Sequence, residues 1–140
     1  MNGRLARYTD IAFALMRFMT GVLFACHGAQ KLFGVFGGQA MIKSPLIVAA
    51  GVIELACGVL VAIGLLTRPA AFIASGEMAV AYFKAHARGG FWPIQNKGEA
   101  AVIFCFLFLF IAAHGASRYS LDALVRRGQG AVEKRSEVTP

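Results

Sequence analysis

The chain has 140 residues, 58% of them hydrophobic and only 15% charged, with a net charge of +7. That length is one domain, and the composition excludes an ordinary soluble protein, for which about 45–50% and about 25% are usual. The basic residues lie scattered between apolar runs, which excludes a nucleic-acid footprint and fits the loops of a membrane protein.

Residues 1–10 are polar and basic, and Ile11 to Gln30 form the first apolar run. Arg17 interrupts that run and no small-residue cleavage site follows, so a retained span is expected in place of a signal peptide. Residues 31–45 mix glycine with Phe33, Phe36, Met41 and Ile42. They are too broken for a span and too apolar for a free linker, which predicts a short re-entrant or interfacial segment. Leu46 to Leu66 follows, bracketed by Ser44-Pro45 and Thr67-Arg68-Pro69, with Glu54 as its one charge. At ~1.5 Å per residue it is about 31 Å long, close to the ~30 Å of a bilayer core, and it organises the rest of the chain.

Pro69 opens the third run, to about residue 86, where proline suits a first helical turn. Ala71, Ser75 and Ala79 recur every four positions and predict a closely packed face. Residues 87–98 form a second aromatic, glycine-rich connection, with Trp92 as an interfacial anchor. The fourth run, Ala100 to about Ala116, contains FCFLFLF. Ser120 then caps a short helix that turns Leu121, Leu124 and Val125 to lipid and Arg126 and Arg127 to phosphates. Residues 124–140 read as a basic, largely disordered tail.

The expected fold is therefore all-α: an integral membrane four-helix bundle over residues 1–123, with spans at about 11–30, 46–66, 69–86 and 100–116. The bases on the side of the termini (Arg4, Arg7, Arg68, Arg118 and those of the tail) outnumber those on the other side. Both termini are thus expected in the cytoplasm, in a multi-pass protein of the inner (plasma) membrane. Cys26, Cys57 and Cys105 each fall in an apolar run without a C-x-x-C pair, and are read as small packing residues.

Three charges lie within the expected spans. From the cytoplasmic end, Arg17 lies at about 9 Å, Glu77 at about 12 Å and Glu54 at about 18 Å. Intramembrane charges face inward and pair, so the three are expected to converge. Two carboxylates against one guanidinium leave an exchangeable proton, which makes Arg17, Glu54 and Glu77 the catalytic candidates. The competing reading is that they only lock helix register. His27 and His86 fall near the outer span ends, where they can clamp a haem, contact a quinone carbonyl, or simply bond to neighbours. His86 lies about 180° from Glu77 on an unbroken helix, so the two are not expected to pair as ligands. No Glu-x-x-His occurs either, and no metal site is expected. His27, Gln30, Lys31, His86, Trp92 and Asn96 gather near the outer face as the polar mouth of a pocket and are the substrate-binding candidates.

The pattern Arg17-x-x-x-Gly21, His27-Gly28-x-Gln30-Lys31-Leu32-Phe33-Gly34, Glu54-x-x-x-Gly58, Gly64-Leu65-x-Thr67-Arg68, Glu77-Met78, His86, Gly90-Phe91-Trp92, Asn96-x-Gly98-Glu99 and Ser120-Leu121-Asp122 resembles the DoxX family. The likeness covers about residues 10–123. Many members read N-G-G-E where this chain has Lys97, an extra base beside an undisturbed Glu99. The resemblance implies a small four-helix integral membrane protein. Relatives include a subunit of archaeal thiosulfate:quinone oxidoreductase and a mycobacterial membrane protein that partners a superoxide dismutase and a sulfurtransferase. A quinone is therefore the implied cofactor, and the first expectation is a membrane-embedded component of a quinone-linked oxidoreductase. The chain has no metal or nucleotide motif, so a partner subunit is expected to carry the electrons. The second expectation is a non-catalytic accessory subunit stabilising a larger respiratory or photosynthetic complex. Phe104, Phe106, Phe108, Phe110 and the small-residue stripe would then be its contact surfaces. A channel fits less well, because nothing resembles a selectivity filter or voltage sensor.

Overall fold

Proline and glycine set the helix ends. Pro45 occupies the first turn after Ser44, and Gly64, in the left-handed region at φ 72°, closes the same helix with its N–H directed back to Leu60 and Val61. The computed structural model describes residues 3–137, with side-chain surroundings for residues 5–129. Among these residues every regular element is helical: α1 (Gly3–Phe33), α2 (Pro45–Ile63), α3 (Thr67–Ala81), a π-helical turn (Tyr82–His86), a 3-10 turn (Ala87–Gly89), α4 (Pro93–Asn96), α5 (Glu99–His114) and α6 (Leu121–Glu137). The all-α class is as expected.

Two stretches, Leu5–Phe33 and Pro45–Ile63, are long and apolar enough to cross a membrane, and α5 is a shorter apolar helix. Only 33% of an apolar 18-residue window in each long stretch is buried, whereas the core helix of a soluble protein is mostly buried. Leu15, Phe18, Leu23, Val52 and Val59 stand exposed along them.

The helices pack as two antiparallel pairs, α1 with α2 and α3 with α5, joined by the tight α2–α3 turn. In the first pair backbone meets backbone. A Cβ on Gly21 would lie 2.6 Å from the Gly58 carbonyl oxygen, and one on Gly58 would lie 2.7 Å from that of Gly21. Lipid offers apolar helices no hydrophobic drive to associate, so close approach through small residues supplies the attraction as dispersion. In the second pair Ala71 and Ser75 are buried, and the Ser75 hydroxyl donates to the Cys105 carbonyl at 2.9 Å. Phe24 and Phe108 fill the space between the pairs with ring centroids 4.6 Å apart.

Two boundaries differ from expectation. α1 begins at Gly3, and its extra turns place Asp10 2.7 Å from Arg118. The segment from 124, expected to be largely disordered, continues α6 as helix to Glu137.

Candidate functional site

At the α2–α3 turn the charged side chains are occupied by helix ends. A helix leaves its last carbonyls and first N–H groups without partners. Arg17 is buried and donates to the carbonyls of Val61, Ala62 and Tyr119, closing the C-terminal end of α2. Arg68 does the same for α5, reaching Ala112, Ala113 and His114 at 3.1–3.3 Å. Asp122 accepts from the N–H groups of Leu66 and Thr67 and from the Thr67 hydroxyl, at 2.8–3.0 Å. Partial burial raises the Asp122 carboxyl, but the bonds from Thr67 and Leu66 outweigh this and hold it below its ordinary value. Two separate sequence motifs, Gly64 to Arg68 and Ser120 to Asp122, are thus one interlocked structure.

Arg17 therefore does not meet the acids. It is spent on carbonyls near the end of α2, seven residues and about 10 Å along the axis from Glu54. Among the described residues it forms no ion pair with Glu54 or Glu77. The expectation of an Arg/Glu/Glu cluster fails because a guanidinium near unpartnered carbonyls is satisfied locally.

The opposite half holds a cavity of about 590 Å³ between α1, α2, α3 and α5. Its walls are mostly apolar, formed by Phe24, Ile53, Met78, Ala81, Ala101 and Phe104 among others. Into it come Lys31 and His27 from α1, Glu54 from α2, Glu77 from α3, and Lys84 and His86 from the π turn. Lys31 Nζ lies 2.6 Å from Glu54 Oε1. Glu54 is 2% exposed, and Oε2 of both Glu54 and Glu77 is buried without a hydrogen-bond partner. Lys31, expected only at the pocket mouth, is thus the counter-charge of Glu54.

His86 reaches the cavity in spite of its α-helical phase. Each residue advances a helix by about 100°, and a π turn holds about one residue more than an α turn. Residues after it lag by about that angle, so His86, opposite Glu77 on an unbroken helix, joins it on the cavity wall. Its Nδ1 lies 3.2 Å from the Asn96 carbonyl oxygen, so Nδ1 carries the proton. Lys84, which shares a face with Glu77 at seven residues' spacing, also lines the cavity.

The remaining candidates serve the loops. Asn96 donates to the Gly90 carbonyl at 2.7 Å and to the Tyr82 hydroxyl, and accepts from the Gly98 N–H. Gln30 reaches the Phe36 carbonyl at 3.4 Å. Trp92 is 62% exposed, edge-on to Phe91. None of these three lines the cavity. Among the described residues no three of His, Cys, Asp or Glu are grouped to hold a metal ion.

The family model DoxX matches residues 12–87, from α1 through the π-helical turn to the first residue of the 3-10 turn. The chain belongs to the DoxX family. That matched stretch carries every charged residue and both histidines of the cavity. An uncharacterized protein of Haemophilus influenzae is 38% identical over 125 residues, covering 84% of this chain and 93% of the relative. No solved structure matches the chain. Family and exposed apolar helices together describe a helical, membrane-associated DoxX protein.

Proposed function

We propose that this DoxX protein is a multi-pass four-helix protein of the inner membrane, both termini cytoplasmic, and a membrane-embedded component of a quinone-linked oxidoreductase. The cavity is its head-group site. The observation that carries this reading is Glu54, nine-tenths and more buried in an apolar cavity with one carboxyl oxygen unpartnered. A carboxylate at that depth costs roughly 2.5 kcal/mol or more, and Lys31 partners only one of its two oxygens.

A quinone head group fits the residues present: a flat apolar ring against the alanine and phenylalanine walls, and its polar edge against Glu54, Glu77 and His86. When bound, it exchanges two electrons and two protons with its surroundings, the electrons passing to or from a redox-active partner subunit. Lys31 fixes Glu54 by one oxygen and leaves the other available. Glu77 has no ion partner among the described residues, and a proton is what most cheaply satisfies an unpartnered carboxyl oxygen away from water. Glu77 is thus the residue that holds and passes protons. With Nδ1 committed to Asn96, His86 offers Nε2 to the head group. Arg17 has no part in this site.

The test is Glu54→Gln in the assembled membrane complex. Quinone-dependent turnover should be lost while the chain still assembles; unchanged turnover refutes the reading. The accessory-subunit alternative draws support from Phe106 and Phe110, exposed along α5, whereas Phe108, Ala71 and Ser75, expected on the same contact surfaces, are buried within the chain. A complex of fixed stoichiometry, whose turnover ignores Glu54→Gln and whose cavity holds no dissociable ligand, would favour it.

A further inference from the structure

The cavity faces its surroundings along the sides of α2 and α3. Leu46, Ala50 and Ile53 of α2 and Ile73, Gly76 and Val80 of α3 line it, each set spaced along one helix stripe. Leu46, Ile73 and Val80 are nevertheless 58%, 51% and 52% exposed, so the wall they form is open between them. Gly76 marks the middle of the opening: a Cβ there would meet nothing within 4 Å. It lies nine residues, about 14 Å, along the axis from Thr67, which begins α3 at the turn. That is near the midplane of a ~30 Å hydrocarbon core. An opening at this depth adjoins acyl chains, where hydrated solutes do not travel.

From this geometry we infer that the cavity is loaded sideways from the bilayer. Its ligand is an amphiphile whose head lies at Glu54 and Glu77 and whose hydrocarbon or isoprenoid tail leaves between α2 and α3 past Gly76. This rests on the head-group site proposed above and adds the tail and its route. The tail gains no affinity from leaving lipid for protein, both being apolar. The gap therefore acts by steric permission, and filling it excludes tailed ligands alone.

The experiment uses the full chain in phosphatidylcholine nanodiscs and two probes with one benzoquinone head, one carrying a decyl tail and one without a tail. Gly76→Leu places a side chain in the open gap, and a better helix former replaces glycine, so folding is retained. The tailed probe should bind at least about tenfold more weakly to this variant, and the tail-less probe should change by less than about twofold. Gly76→Ala, too short to cross the gap, should leave both affinities as they are. Equal loss for both probes, or loss for neither, overturns the sideways route while the head-group site stands. Failure of the native chain to bind either probe overturns the head-group reading and this inference with it.

Discussion

α2 is packed in opposite ways against its two neighbours. Toward α1 its glycines let backbone touch backbone, and a Cβ on Gly58 would fall 2.7 Å from the Gly21 carbonyl oxygen. Toward α3 it is held at the turn, by Arg17 on its final carbonyls and by Asp122 on the first N–H groups of α3. Beyond the turn the two helices border a cavity, and a Cβ on Gly76 would meet nothing. The same residue type thus serves closure on one side and vacancy on the other. Charges divide the same way: at the turn they are spent on backbone, while in the cavity Lys31 and Glu54 pair and Glu77 has no ion partner among the described residues. The turn end of the bundle thus consumes its charges on its own helix ends, while the cavity end keeps one carboxyl oxygen of each acid unpartnered.

This contrast is open to attack from both sides. The largest effect is expected of Gly58→Val, which forces α1 and α2 apart through backbone that cannot yield. It should cost more than about 4 kcal/mol and abolish recovery of monodisperse protein. Gly76→Leu, a similar insertion across the gap, should leave yield and melting temperature near native. Next comes Arg17→Met, which strips a buried guanidinium from three carbonyls. A loss of about 3 kcal/mol is expected, read as a lower melting temperature, with quinone binding per folded molecule unchanged. Weakened binding at full stability would return Arg17 to the site.

Asp122→Asn should cost about 1 kcal/mol at neutral pH, as the loss of a helix cap does. Because the folded-state carboxyl is held below its ordinary value, its stabilisation is complete above the unfolded value near pH 4. It is lost as pH falls through the lower folded value. The stability difference between native chain and variant should therefore narrow below about pH 4 in equilibrium unfolding at graded pH; a difference that persists there would show that the carboxylate is not the clamp.

The all-α class, the long apolar helices and the family were legible in the residues alone, because hydropathy over twenty residues and glycine or proline at the ends are local properties. Glu54 and Glu77 were legible as site candidates for a similar reason: a carboxylate inside an apolar run is conspicuous whatever surrounds it. The pairing of Glu54 was not legible. Helical depth put Arg17 within reach of both acids, but a guanidinium goes to whatever acceptors are nearest, and those were the last carbonyls of α2. Lys31 became the counter-charge instead. The place of His86 turned on one π turn, a change of phase that no composition announces. Which side of α2 closed and which stayed open was settled by helix packing, since that depends on whether a glycine meets another backbone or empty space.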